Sequence, residues 1–217
     1  MTFSKTAMAL ACGFAVSISA NAGYIDLEDA NNPTTFQVDD GSGEFDKGKN
    51  DYVNQSGSLI EHGDTVEQGR KVTSISEDKF RLTFTYLYKE AGWENSFWYE
   101  GSELFNTNSS SFGESQSFIY DGGLGDLDFA FKTTNYNGDV LGPLNNADND
   151  SEVAYDFFTY QEDGFILLGL DDTGAGPDDN HDDMIIKITA SKVPEPGTLA
   201  LLGLGLAGLG VGYRRRS

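Results

Sequence analysis

The sequence predicts an all-β protein, a single antiparallel β-sandwich of jelly-roll type, and three observations carry that expectation. In residues 79–89, Phe80, Leu82, Phe84, Tyr86 and Tyr88 fall on one face, while Arg81, Thr83, Thr85 and Lys89 fall on the other and Leu87 is the exception. Period two at this length is the signature of a half-buried strand. Aromatic and β-branched runs then recur at short intervals between Gly, Asn and Asp turns. Between residues 22 and 193, finally, no amphipathic helix of about 12 residues can be drawn.

The chain opens with a targeting segment, residues 1–22. Lys5 supplies the positive start, residues 6–18 are mostly apolar, and Ala20-Asn21-Ala22 fits a small-x-small cleavage site before Gly23. Cleavage there removes Cys12, the one cysteine of the chain. The mature protein then has neither disulfides nor thiol chemistry.

Residues 23–192 form one exported domain. Residues 23–27 and 34–38 read as two opening strands separated by an Asn-Asn-Pro turn, and residues 39–50 as a polar loop. The strand at 79–89 is followed by one at 93–100 and another at 103–105, with a polar tip at 106–111. Further strands are expected at 117–120, 127–133, 153–160, 165–170 and 184–189. The whole chain has 14 basic and 35 acidic residues, a formal net charge of −21. Such a field repels nucleic acid and attracts divalent cations.

The tail, residues 193–217, has three parts in order: Pro194-Glu195-Pro196, an apolar stretch at 197–213, and Arg214-Arg215-Arg216. About 17 residues of helix cover about 25 Å, a little under the ~30 Å hydrocarbon core, so the stretch spans a membrane with snorkelling arginines. The arginines resist translocation and keep the tail's end cytoplasmic, leaving the domain on the far side.

These three parts resemble the PEP-CTERM sorting signal of Gram-negative bacteria. The resemblance covers the tail alone. It implies an exosortase as partner, transient anchoring in the inner membrane through the C-terminal helix, and release to the cell envelope, surface or extracellular matrix. It also implies a link to exopolysaccharide or biofilm.

Within the domain the search for catalytic chemistry is negative. The only histidines are His62 and His181, without a Gly-x-Ser-x-Gly elbow, and no phosphate-binding loop is present. A glycosidase needs two carboxylates at a set separation, and the acids are too numerous for any pair to stand out. Trp93, Trp98 and Tyr99 form a candidate carbohydrate platform, the alternative being that they are core residues. The sharpest constellation runs from Asp171 to Asp183, with six carboxylates, two glycines and a proline. Its carboxylates repel one another unless solvated or neutralised. Asp178, Asn180 and Asp182 alternate as at the start of an EF-hand, but Asp183 replaces the glycine and Thr189 the bidentate glutamate of that motif. What remains is a looser calcium site, Asp171 or Asp172 with Asp178, Asn180, Asp182 and Asp183, or else a solvated acidic hairpin. His181 is expected to be exposed rather than a ligand. The segment is similar to the Asp-rich loop ending in Asp-Asp-Met-Ile-Ile that precedes the last strand of several exported bacterial β-domains.

The sequence therefore points to an exported, non-enzymatic surface protein with a structural or adhesive role. The alternatives are a calcium-assisted carbohydrate-binding module and, after it, a glycoside-active enzyme.

Overall fold

The computed structural model describes residues 23–38, 51–90, 92–153, 155–172 and 181–193. The expected signal segment, the tail from residue 194 and the loop interior at 173–180 lie outside these residues. The described residues form twelve strands: β1 (Ile25–Gln37), β2 (Thr65–Ser74), β3 (Phe80–Tyr88), β4 (Glu94–Tyr99), β5 (Ser102–Asn106), β6 (Ser115–Tyr120), β7 (Gly125–Asp126), β8 (Phe129–Thr134), β9 (Val140–Asn145), β10 (Phe157–Glu162), β11 (Phe165–Leu170) and β12 (Met184–Lys192). The helical content among the described residues is two 3-10 turns, Tyr52–Asn54 and Asn146–Asp148.

The strands make two antiparallel sheets. The larger has the order β1-β2-β10-β11-β12-β3-β6, with β7 paired to β2, and the smaller has the order β5-β4-β8-β9. The division into eight and four strands differs from the eight-stranded double Greek key of a jelly roll. Among the described residues no helix is long and apolar enough to cross a membrane, and the expected span at 197–213 lies outside them.

The two sheets face each other across an aromatic core. Phe84 of the large sheet sits 5.2 Å from Phe97 and 4.8 Å from Tyr99 of the small sheet, while Phe131 of the small sheet meets Phe157 of the large one at 5.6 Å. These rings, with Leu82, Leu168, Ile186 and Ile188, are buried. The alternation seen in the sequence is kept here: Phe80, Leu82, Phe84 and Tyr86 point inward, and Thr83 and Thr85 point out to bond Ser117 and Ser115 at 2.8 Å.

The second face of the large sheet is covered as well. Val66, Phe158, Tyr160, Leu167 and Ile185 pack there under Val38, Tyr52 and Ile60. Strands buried on both faces read as continuous apolar runs rather than as alternation. Phe157-Phe158, Ile166-Leu167-Leu168 and Met184-Ile185-Ile186 are such runs.

Three departures from the sequence reading have physical causes. The two opening strands are one strand, β1, whose register slips between Asp29 and Thr34. Gly69 lies opposite the slip at φ +66, and a Cβ there would stand 2.1 Å from the Asn31 carbonyl oxygen, so the close approach requires glycine. Strand β2 was hidden by Glu67, Gln68, Arg70 and Lys71; ion pairs of Arg70 with Asp29 and of Lys71 with Asp126 accommodate two of its charges. Strand β9 was hidden by Gly142 and Pro143, which an edge strand tolerates.

Between β2 and β10 the ladder holds only the pair Thr159 and Glu67. Beyond it, side-chain amides take the place of a strand. Buried Asn146 accepts from the Val72 N–H at 2.8 Å and donates to the Val72 and Leu127 carbonyls, while Asn149 donates to the carbonyls of Arg70 and Phe157 and accepts from the Phe157 N–H.

Phe84→Ala is expected to cost about 3 to 5 kcal/mol in urea unfolding, because it removes a fully buried ring that contacts both sheets. Thr83→Ala and Thr85→Ala are expected to cost less than about 1 kcal/mol. Equal effects on the two faces would contradict the packing described.

Candidate functional site

The acidic segment between β11 and β12 is held by continuation of the sheet. Asp171 N–H donates to the Asp156 carbonyl at 3.1 Å, and Asp183 N–H donates to the Leu170 carbonyl at 3.1 Å. The returning chain crosses β11 at Gly169, where a Cβ would meet the His181 carbonyl oxygen at 2.3 Å and the Phe158 ring at 2.1 Å. His181 itself sits at φ 54, in the left-handed region that non-glycine residues seldom occupy.

The four described acids of the segment are buried, not solvated. Asp171, Asp172, Asp182 and Asp183 are between 1% and 7% exposed. They do not converge on one site. Asp172 turns toward the small sheet, where its Oδ2 accepts from Asn95 Nδ2 at 2.7 Å, and its N–H donates to Asp183 Oδ2 at 2.8 Å. Asn95 is held in turn by the Thr133 hydroxyl, which donates to its Oδ1 at 2.6 Å.

Asp171 joins Asp156 and His181 in a buried group whose ligand atoms lie within 4.8 Å of one another. His181 Nε2 is 2.8 Å from Asp156 Oδ1 and 2.5 Å from Gln68 Nε2. Among the described residues Asp156 Oδ2 is buried with no hydrogen-bond partner. Two carboxylates and an imidazole suit a borderline divalent cation.

Asp182 belongs to a second group, with Asp51 and Glu90, again with ligand atoms within 4.8 Å of one another. The Tyr52 N–H donates to Asp182 Oδ2 at 2.5 Å, and Glu90 N–H donates to the Asp182 carbonyl at 3.1 Å. Burial pushes the Asp182 carboxyl up to about 9, and the negative charges of Glu90, Asp51 and Asp183 act in the same direction against the Tyr52 N–H. The Tyr88 phenol beside it is pushed up to about 12, first by burial and then by Asp182, Glu90 and Asp51.

The expected calcium set is thus divided. Asp171 and Asp182 fall in different groups, Asp172 and Asp183 bond to neighbouring chain, and Asp178 and Asn180 lie outside the described residues. His181, expected to be exposed, is 2% exposed because the chain folds inward across Gly169. Asp51, Glu90 and Asp156 were not singled out in the sequence: Asp51 and Glu90 lie far along the chain from the acidic segment, and Asp156 is brought to it by the β10–β11 hairpin. The aromatic trio is also separated. Tyr99 is buried against Phe84 and Phe118, while Trp98, its neighbour on the strand, faces outward with Lys132 Nζ 3.4 Å from its ring centroid. Trp93 is half-buried and meets Tyr136 edge-on at 6.2 Å. The sorting residues Pro194, Glu195 and Pro196 and the arginines Arg214, Arg215 and Arg216 lie outside the described residues.

Against known protein families, residues 192–216 match the PEP-CTERM protein-sorting motif. No curated protein matches the chain.

Asn95→Ala is expected to destabilise the protein by about 2 to 4 kcal/mol, since it removes the bonds to Asp172 and to Thr133 from a fully buried position. Asn95→Asp should cost more, because it sets a second carboxylate against Asp172. Denaturant midpoints of the two variants check the order.

Proposed function

We propose that this chain, which carries a PEP-CTERM sorting motif at residues 192–216, is exported across the inner membrane, anchored there transiently, and passed by an exosortase to the cell envelope or extracellular matrix. Its β-domain then has a structural or adhesive role linked to exopolysaccharide, with no catalysis of its own. The observation that carries this reading is where the motif begins. Strand β12 ends at Lys192 and the matched segment starts at that residue, so processing near Pro194-Glu195-Pro196 removes the tail and spares the last strand. The targeting segment expected at residues 1–22 supports export, and the net charge of −21 disfavours nucleic acid as a partner. The burial of Asp156, Asp171 and His181, and of Asp51 and Asp182 in the second group, supports a structural role over glycoside chemistry, which needs carboxylates open to substrate.

A second reading, a calcium-assisted carbohydrate-binding module, is favoured by one observation. Trp93 stands beside Tyr136, which is 80% exposed, and lies two positions from Asn95, the residue bonded to Asp172. The aromatic surface and the acidic segment therefore adjoin.

Sorting is tested by the intact mass of the protein recovered from a host with an exosortase and from the same host lacking it. The tail should be lost only in the first, and Glu195→Ala should impair its removal. A mature protein that keeps Arg214 to Arg216 in the exosortase host would overturn the reading. For the carbohydrate reading, Trp93→Ala should weaken retention on the host's exopolysaccharide by up to about tenfold, the value of an aromatic stacking contact, while Trp98→Ala should leave it nearly unchanged. Equal retention of wild type and both variants would remove the sugar ligand.

A further inference from the structure

We infer that Asp51, Glu90 and Asp182 bind one hard divalent cation of calcium's class, and that this ion fastens the 51–61 segment to the large sheet. The inference does not rest on sorting or on a sugar ligand. It shares only Asp182 with the site expected from the sequence.

Geometry comes first. The three carboxylates each offer an oxygen, and these oxygens lie within 4.8 Å of one another. Two oxygens bound to one calcium at 2.3–2.6 Å stand at most about 5 Å apart, so the three fit around a single ion. The second observation is Asp182 itself. It is 2% exposed; its Oδ2 accepts from the Tyr52 N–H, and its buried Oδ1 has no hydrogen-bond partner among the described residues. Among the described residues a proton on Oδ1 has no acceptor within hydrogen-bond reach, whereas a cation would satisfy that oxygen and offset the repulsion of Asp51 and Glu90 together.

The donor set selects the ion. All three side chains present oxygen, without the imidazole or thiolate that favours zinc. They also come from separate stretches of chain: Asp51 opens the Tyr52–Asn54 turn, Glu90 follows β3, and Asp182 precedes β12. Calcium accepts irregular shells of 6–8 oxygens, whereas magnesium requires a near-ideal octahedron. The bound ion would hold the turn that lays Tyr52 and Ile60 over the second face of the large sheet.

Tyr52 and Tyr88, with ring centroids 5.5 Å apart, stand beside the group and provide an internal reporter. Terbium, a trivalent ion of calcium's size, emits when excited through nearby tyrosine. With the full chain purified from membranes, terbium should give saturable tyrosine-sensitised emission that calcium displaces and equal magnesium does not. The calcium dissociation constant should be about 10⁻⁴ to 10⁻³ M, as for extracellular modules. Asp182→Asn should abolish the competition. Because that change lies in a buried site and could prevent folding, half-exposed Glu90→Gln is the second variant, expected to weaken calcium at least about tenfold while the protein still unfolds cooperatively. Calcium should also raise the melting temperature of the wild type at matched ionic strength, and by less in Glu90→Gln. Absence of calcium-specific displacement, or undiminished calcium affinity in Glu90→Gln, would overturn the site. Neither result bears on loss of the tail, which is read by mass.

Discussion

The central strands β10, β11 and β12 carry apolar side chains on both faces, and a sheet built in this way is stable only when both faces are covered. The small sheet covers one face with Phe97, Phe129 and Phe131. Among the described residues the other is covered by Val38, Tyr52 and Ile60, from segments without regular strand structure. The two covers differ in how they are held. The first brings four hydrogen-bonded strands of its own, whereas the second depends on side-chain packing and on local bonds such as that from the Tyr52 N–H to Asp182. The acidic group at Asp51, Glu90 and Asp182 lies where this second cover is fixed.

This arrangement explains why buried carboxylates are concentrated at the β11–β12 end. Burying a charge is costly unless it is paired, bonded or neutralised. Asp172 is bonded by Asn95, and Asp156 is set against His181. Each of these links joins pieces of chain that share no strand pairing, so polar contacts do here what a ladder does elsewhere in the sheets. Asn149 plays the same part with a neutral group, bridging β2 and β10, and Asn146 joins β2 to Leu127.

The sequence made β3 and β11 legible because their patterns are simple: strict alternation in one, an unbroken apolar run between Asp-Gly and Asp-Asp in the other. It concealed β2, since Arg70 and Lys71 suggest a solvated loop until Asp29 and Asp126 are known to lie beside them. The acidic segment was visible as chemistry but not as geometry. Composition showed that Asp171 to Asp183 must be solvated or neutralised, yet whether Asp182 faces water or Tyr52 depends on a residue distant in the chain. Asp51 and Glu90 are unremarkable in sequence and become part of a group only when the 51–61 segment folds back beside β12. The tail was legible because a targeting signal is read as linear order, which needs no fold.

Strand β12 lies in the interior of the large sheet, with β11 on one side and β3 on the other. Its last residues, from Ile188 to Lys192, pair with Phe84 back to Phe80. If the proposed sorting joins the chain to the cell surface through its C-terminus, any pull enters along this strand. The direction of loading is then close to the strand axis, so the cross-strand hydrogen bonds share the force in shear instead of opening one after another. Flow or drag on an attached polymer would be borne by the middle of the sheet, and the edge strands β1 and β6 would be spared the first strain.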